Sequence, residues 1–280
     1  MSWGRGMSRV SRRALPGFGL SLGYTVTYLS LLVLIPLAAV AWQASGLGPA
    51  EFAAAAWSPE ARAAYRLTAW TAAAAAAVNV VLGVVVAWSL VRYEFPLKRI
   101  VDALVDVPLA LPTAVAGLVY ATLYSADGWL GRHLIPLGVE VAYTQLGIVV
   151  VLVFTGFPFV VRAVQPVLAD LDAEAEEAAA VLGASRWETF RRVLLPTLLP
   201  PALTGFALAL ARGLGEYGSV VFIYKAQPGE PLIAPSLVVA QLESGRFADA
   251  AAVALVLLVI SFALLVVVNL LERWTQRHAG

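Results

Sequence analysis

The sequence predicts an all-α protein that crosses a membrane six times, and three observations support this prediction. Of its 280 residues, 60% are hydrophobic and only 13% are charged, about half the charged share of soluble domains. The charges are confined to short patches. The apolar stretches between them are long enough to cross a bilayer, which takes about 20 helical residues. We expect the spans at 22–42, 67–91, 104–124, 146–165, 200–223 and 250–271.

Basic residues are unevenly distributed between the two sides that these spans define. Of the 19 Lys and Arg residues, 13 fall at the termini and in the connections near 92–103 and 166–199, and five fall in the opposite loops. Cytoplasmic loops are the ones enriched in Lys and Arg. We therefore expect both termini in the cytoplasm. The predicted organisation is an N-terminal segment at 1–21, a membrane domain at 22–271 that includes a cytoplasmic connection at 168–197, and a tail at 272–280.

The first two spans are predicted from length and from small residues. The stretch 22–42 follows a basic segment, as in a signal peptide, but it is too long for a typical signal core. We therefore interpret it as a retained helix. The second span contains an uninterrupted alanine run at 72–77. Small side chains allow helix backbones to approach closely in lipid, so this run predicts a packing face.

The third and fifth spans contain residues that weaken helices. Pro108 and Pro112 lie in the third span, and glycines at 213, 215 and 218 lie at the end of the fifth. Proline removes a backbone donor and bends a helix, which membranes tolerate only where protein or water covers the freed groups. We expect kinks and local unwinding that suit a gate, although static packing is an alternative.

Arg212 and Glu216 are the two full charges well inside a span, and a spacing of four residues places them on one helix face. Charges at this depth should face the helix bundle or water. Two interpretations stay open. The pair either neutralises itself so that the helix can insert, or Arg212 attracts a passing anion while Glu216 moderates that attraction.

The connection at 168–197 predicts two helices that protrude into the cytoplasm. Apolar residues from Leu168 to Leu182 recur at helical spacing, and Gly183 marks a stop. A second helix should begin at Ser185, with Glu188 as its capping-box partner. Six carboxylates in this connection disfavour contact with an anionic membrane surface, so we expect a protein to dock here.

Several chemistries are excluded by composition. The chain has no cysteine, and both of its histidines lie outside the predicted spans, so no base is available there to activate an intramembrane serine. Lys98 and Lys225 follow no glycine-rich phosphate loop, so this chain does not hydrolyse ATP by that route. A net charge of +1 predicts no nucleic-acid partner. We expect no catalytic residue, metal or cofactor in this chain.

One motif in the cytoplasmic connection resembles a known family. The pattern Glu177-Ala178-Ala179, Gly183, Val193 and Leu195-Pro196 is similar to the EAA loop of ATP-binding-cassette (ABC) importer permeases, with Val193 where isoleucine is usual. The resemblance implies a type I importer permease whose coupling helix pair docks on an ATPase subunit. The coupling residues that it implies are Glu177, Ala178, Ala179, Gly183, Ala184, Arg186, Leu195 and Pro196.

Two further stretches, 108–117 and 214–223, resemble the sulfate/thiosulfate and molybdate branch of these permeases. Within the branch, Glu-Tyr-Gly-Ser-Val at 216–220 is most similar to T-type sulfate permease subunits. The pathway and gate residues that we expect are Arg212, Glu216, Tyr217, Gly215, Gly218, Ser219, Pro108, Pro112 and Thr113.

The resemblance implies a non-catalytic subunit of a sulfate/thiosulfate importer in the bacterial cell (inner) membrane. Its implied partners are a second permease, either W-type or a second copy, two ABC ATPases that use ATP and Mg, an extracytoplasmic sulfate-binding protein, and the lipid bilayer. Two alternatives stay open: a molybdate or tungstate permease, and a self-sufficient ion-coupled transporter.

Overall fold

The computed structural model describes residues 18–171 and 173–278, and within them it contains helices and connecting segments but no strand. The helices, in chain order, are α1 (Phe18–Ala44), α2 (Pro49–Ala56), α3 (Pro59–Arg92), α4 (Lys98–Val105), α5 (Val107–Ala110), α6 (Thr113–Tyr124), α7 (Gly131–Leu134), α8 (Gln145–Ala169), α9 (Ala173–Val181), α10 (Arg186–Leu214), α11 (Val220–Ile223), α12 (Ala234–Glu243) and α13 (Phe247–His278).

Five of the described helices, α1, α3, α8, α10 and α13, are long and apolar enough to cross a membrane. The predicted spans 22–42, 67–91, 146–165 and 250–271 lie within four of them. Helices α3, α8 and α10 pack together at the centre, and α13 packs against α10. Ala72, Ala75 and Ala76 are buried at this centre, as expected for a packing face.

The predicted third span at 104–124 is wrong as a single helix. The chain forms α4, α5 and α6 there, and Leu111 is extended with φ −81° and ψ 130°. Pro112 causes this break, because proline disfavours the helical conformation of the preceding residue and offers no N–H. Helix α6 has 12 residues, or about 18 Å, which is shorter than the ~30 Å hydrocarbon layer.

The predicted fifth span at 200–223 also differs from the structure. Helix α10 begins at Arg186 and ends at Leu214, so the second helix of the cytoplasmic connection and the spanning helix are one element. A π-helical turn at Phe190–Leu194 precedes Pro196. The wider turn relieves the clash and the lost hydrogen bond that proline imposes on the preceding turn.

Arg162 on α8 holds the broken segment in place. It donates to the Asp102 Oδ1 at 2.6 Å, to the two Asp106 carboxylate oxygens at 2.9 and 2.6 Å, and to the Asp102 carbonyl at 2.8 Å. Gln165 joins the same cluster. These contacts fix α4 and α5 to the end of α8. The hydrogen bond from Arg162 lowers the pKa of Asp102 below its ordinary value.

This cluster predicts a pH-dependent contribution to stability. Because the pKa of Asp102 is lower in the folded protein than in the unfolded chain, its contribution is complete above about pH 4 and is lost as the pH falls through the lowered value. We expect Asp102→Asn to lower the Tm by about 2 °C at pH 7. The difference from wild type should close on acidification, measured by thermal unfolding in detergent.

Glu94→Gln is the control, because Glu94 pairs with Lys98 on the same segment but is 90% exposed. It should leave the Tm near wild type throughout. A constant Tm difference between Asp102→Asn and wild type at every pH would contradict this role of Asp102.

Candidate functional site

The two stretches that contain helix-weakening residues contact each other in the folded chain. The start of α6 packs against the irregular turn at 215–219, between α10 and α11. A Cβ atom on Gly117 would collide with the Ser219 carbonyl oxygen, and one on Gly218 would collide with the Thr113 Oγ1. Glycine at both positions therefore permits this close approach. The structure thus brings together Thr113, Gly218 and Ser219 of the predicted pathway set.

Glu216 organises the turn at 215–219. Its side chain is 2% exposed, and its Oε1 accepts hydrogen bonds from the Ser219 N–H and hydroxyl, each at 2.9 Å. Its Oε2 accepts from Arg212, so the predicted ion pair is present, but Glu216 lies in the turn beyond the end of α10 at Leu214 and not on the same helix. A buried carboxylate is stable only when charge and donors compensate for the lost water. These contacts supply that compensation within one turn of chain.

Arg212 is less enclosed than its partner. Its side chain is 34% exposed, whereas Glu216 is buried. Its Nη1 donates to Glu216, and a guanidinium has five N–H donors. Within residues 18–171 and 173–278, the guanidinium bonds only to Glu216, so most of its donors can serve another anion. Arg212 can therefore offer hydrogen-bond donors to an anion while its own positive charge is neutralised by Glu216.

The remaining predicted pathway residues occupy different positions around this contact. Gly215 is exposed in the turn and Tyr217 is half-buried. Pro112 is exposed at the start of α6. Pro108 is buried in α5, which packs against α8. Pro108 therefore belongs to the α4–α5 segment that Arg162 fixes to α8.

The cytoplasmic connection forms the predicted helix–glycine–helix arrangement. Helix α9 ends at Val181, and Gly183 has φ +83°. The N–H groups of Gly183 and Ala184 donate to the carbonyls of Ala180 and Ala179, both at 3.0 Å. This pattern of bonds is a Schellman motif, in which a residue with positive φ ends a helix. The predicted stop at Gly183 is confirmed.

The predicted capping box is also confirmed. The Ser185 hydroxyl accepts from the Glu188 N–H at 3.3 Å, and the Glu188 carboxylate accepts from the Ser185 N–H at 2.9 Å. The predicted start of the first helix is wrong, because Leu168 is buried in α8 and α9 begins at Ala173. Asp172, one of the predicted acids, lies outside the described residues.

An apolar surface surrounds Gly183. Val181 is 87% exposed, Leu182 is 86% exposed and Trp187 is 67% exposed. Glu177 and Ala178 are exposed beside them. We call these five residues the coupling surface. Of the other predicted coupling residues, Arg186, Leu195 and Pro196 are exposed, whereas Ala179 and Ala184 are partly buried. Large apolar side chains in water commonly mark protein contacts.

Sequence reasoning missed three features of this region. The apolar part of the coupling surface is visible in the sequence as Val181, Leu182 and Trp187 around the glycine, but the six carboxylates alone predict only a polar docking surface. Arg92 of α3 pairs with Glu176 of α9, 84 residues away, and no local pattern indicates it. Asn79 is fully buried, and neither of its amide atoms has a hydrogen-bond partner among the described residues.

A family model described as "Binding-protein-dependent transport system inner membrane component" matches residues 79–278. The chain belongs to this family. The match covers α8, α9, α10 and the turn at 215–219, and therefore both halves of the candidate site.

Named relatives match nearly the whole chain. The sulfate transport system permease protein CysT of Synechocystis sp. is 50% identical over 256 residues, which cover 91% of this chain and 90% of the relative. The protein of the same name from Escherichia coli is 43% identical over 271 residues, with 96% and 98% covered. These findings confirm the predicted resemblance to importer permeases and to their T-type sulfate branch.

Solved structures confirm the type I permease fold. A bacterial alginate ABC transporter, in complex with a periplasmic protein bound to alginate pentasaccharide, aligns with a TM-score of 0.76 at 16% identity. The alignment covers 91% of this chain and 93% of the other. The MetNI methionine ABC transporter in an inward-facing conformation aligns with a TM-score of 0.57 at 17% identity, with 77% and 94% covered.

Proposed function

We propose that this permease is the T-type, non-catalytic membrane subunit of an ATP-driven importer of sulfate and thiosulfate. The observation that carries the proposal is 43–50% identity to sulfate transport permeases over at least 90% of the chain. At this coverage, the aligned region includes the contact between α6 and the turn at 215–219. The chain has no phosphate-binding loop, so a separate subunit must hydrolyse ATP with Mg.

The coupling surface is the docking site for that ATPase. Three exposed apolar side chains would become buried on binding, and Glu177 provides a polar contact at the edge. Gly183, Ala184 and Arg186 shape the turn, and Leu195 and Pro196 follow on the same helix. Two ATPases, one beneath each permease, would close on ATP, displace α9 and α10 and switch the bundle from inward-open to outward-open.

A second permease, of W-type or a second copy, completes the membrane part of the transporter. In this chain α1 buries none of its 18-residue apolar window, so this surface can contact either lipid or another membrane subunit. The distribution of Lys and Arg supports cytoplasmic termini in the bacterial inner membrane. An extracytoplasmic binding protein delivers the anion to the opposite face and supplies the high-affinity site.

The anion passes beside Arg212 without tight binding. Sulfate has two negative charges, and one arginine already paired with Glu216 gives no net positive charge. The free donors of Arg212 can hold the anion transiently, while Glu216 prevents it from being trapped. Ser219 is buried against Glu216, and Thr113 lies against Gly218, so both would reach the pathway only if this contact opens. Tyr217 is half-buried in the same turn, and the glycines at 215 and 218 with Pro112 allow the backbone to move.

Substrate competition tests this function in vesicles that contain the complete transporter and its binding protein. We expect ATP-dependent uptake of labelled sulfate. Unlabelled thiosulfate should compete with it, and an equal concentration of molybdate should not. Efficient competition by molybdate, with uptake of labelled molybdate, would instead assign the chain to the molybdate permeases. Uptake that needs an ion gradient and no ATP would contradict the importer assignment altogether.

Substitution of Arg212 tests its role in the pathway. Arg212→Gln should lower sulfate uptake at least about fivefold at normal protein abundance, the effect expected for one charge-assisted hydrogen bond. Arg212→Lys keeps the charge and should retain most of the uptake. If Arg212→Gln transports at the wild-type rate, the pair serves only insertion and the shape of the turn.

A further inference from the structure

Arg92 is the last residue of α3, and its side chain contacts two other groups. Its Nη2 donates to the Glu176 Oε1 on α9. Its guanidinium lies over the ring of Trp88, one turn earlier, 5.5 Å from the centroid. The Arg92 and Glu176 side chains are only 23% and 30% exposed. Partial burial strengthens such a pair relative to an exposed one.

The same group extends to α10 through aromatic contacts. The Trp88 ring meets the Phe190 ring edge-on at 6.4 Å, and Phe190 stacks on Trp187 at 5.6 Å. Trp187 belongs to the coupling surface. A cavity of about 300 Å³ lies among Trp88, Glu176 and Phe190, so this group has room to shift. Helices α9, α3 and α10 therefore meet at one cluster.

The contact with Arg92 is the main side-chain attachment of α9 to the membrane bundle. Among the side chains of α9 that the structure describes, only Glu176 forms a hydrogen bond or ion pair to a spanning helix. Helix α3 packs along α8 through Ala87, Leu90, Val160 and Val164, all buried. Force applied to Glu176 therefore reaches the centre of the bundle without passing along α10.

We propose that Arg92 and Glu176 form a strut that carries the movement of α9 into α3. The two are positioning residues for transport, and the Trp88 ring holds the Arg92 guanidinium in line with its partner. The proposal rests on the proposed function of the coupling surface. It adds a direct connection from α9 to α3, whereas the chain at the two ends of α9 connects it only to α8 and α10.

The test measures sulfate uptake and ATP hydrolysis together in vesicles that contain the complete transporter. Arg92→Gln and Glu176→Gln should each lower the sulfate transported per ATP hydrolysed about fivefold. The ATPase subunits should still copurify, because neither side chain belongs to the coupling surface. The double variant Arg92→Glu/Glu176→Arg restores the pair and should recover most of the ratio, which a loss of folding alone would not allow.

Glu94→Gln is the matched control, since its ion pair with Lys98 is exposed and joins no two helices of the bundle. It should leave the transport ratio unchanged. Gly183→Val in the same assay tests the proposed function separately, because a side chain is strained at φ +83°. If Gly183→Val uncouples transport while both strut variants keep the wild-type ratio, the strut is refuted. If Gly183→Val also transports normally, the coupling function itself is refuted.

Discussion

The contact between the start of α6 and the turn at 215–219 is the constraint on which the membrane architecture depends. Lipid offers no partner to a free backbone N–H or carbonyl, so a chain broken at Leu111 and again after Leu214 must cover both breaks with protein. The first turns of α6 pack directly against residues 218 and 219 of the second break. Glycine at 117 and 218 allows the backbones to touch, and the Glu216 carboxylate accepts the freed Ser219 N–H. Arg212 neutralises that carboxylate.

Helix α10 connects this contact in the membrane to the cytoplasmic face. Helix α10 runs without interruption for 29 residues, about 43 Å, from the Ser185 cap to the turn that contains Glu216. One end of the helix therefore carries Trp187 of the coupling surface and the other end carries Arg212. The π-helical turn before Pro196 keeps the helix continuous where proline would otherwise break it. In the proposed cycle, movement at the cytoplasmic end shifts the turn that α6 packs against.

Local signals made much of this molecule predictable. Four of the six predicted spans lie within apolar helices of the structure. The end of α9 follows from Gly183 and the start of α10 from Ser185 and Glu188, because each depends on neighbouring residues. The two prolines predicted a weakened helix in the third span. They did not predict that the chain becomes extended at Leu111, or that α6, which follows, is too short to cross the membrane. Pairs distant in sequence were not predictable: Arg162 with Asp102 and Asp106, or Arg92 with Glu176. Those contacts exist only once the helices have packed.

A reversible disulfide tests most directly whether the contact must open during transport. A Cβ on Gly218 would lie 3.4 Å from that of Thr113, close to the separation in disulfides, and the chain has no other cysteine. In the complete transporter, the double variant Thr113→Cys/Gly218→Cys should cross-link on oxidation. Sulfate uptake should then fall at least about tenfold and return on reduction, with each single variant unaffected by oxidant. Full uptake by the cross-linked protein would contradict a gate at this contact.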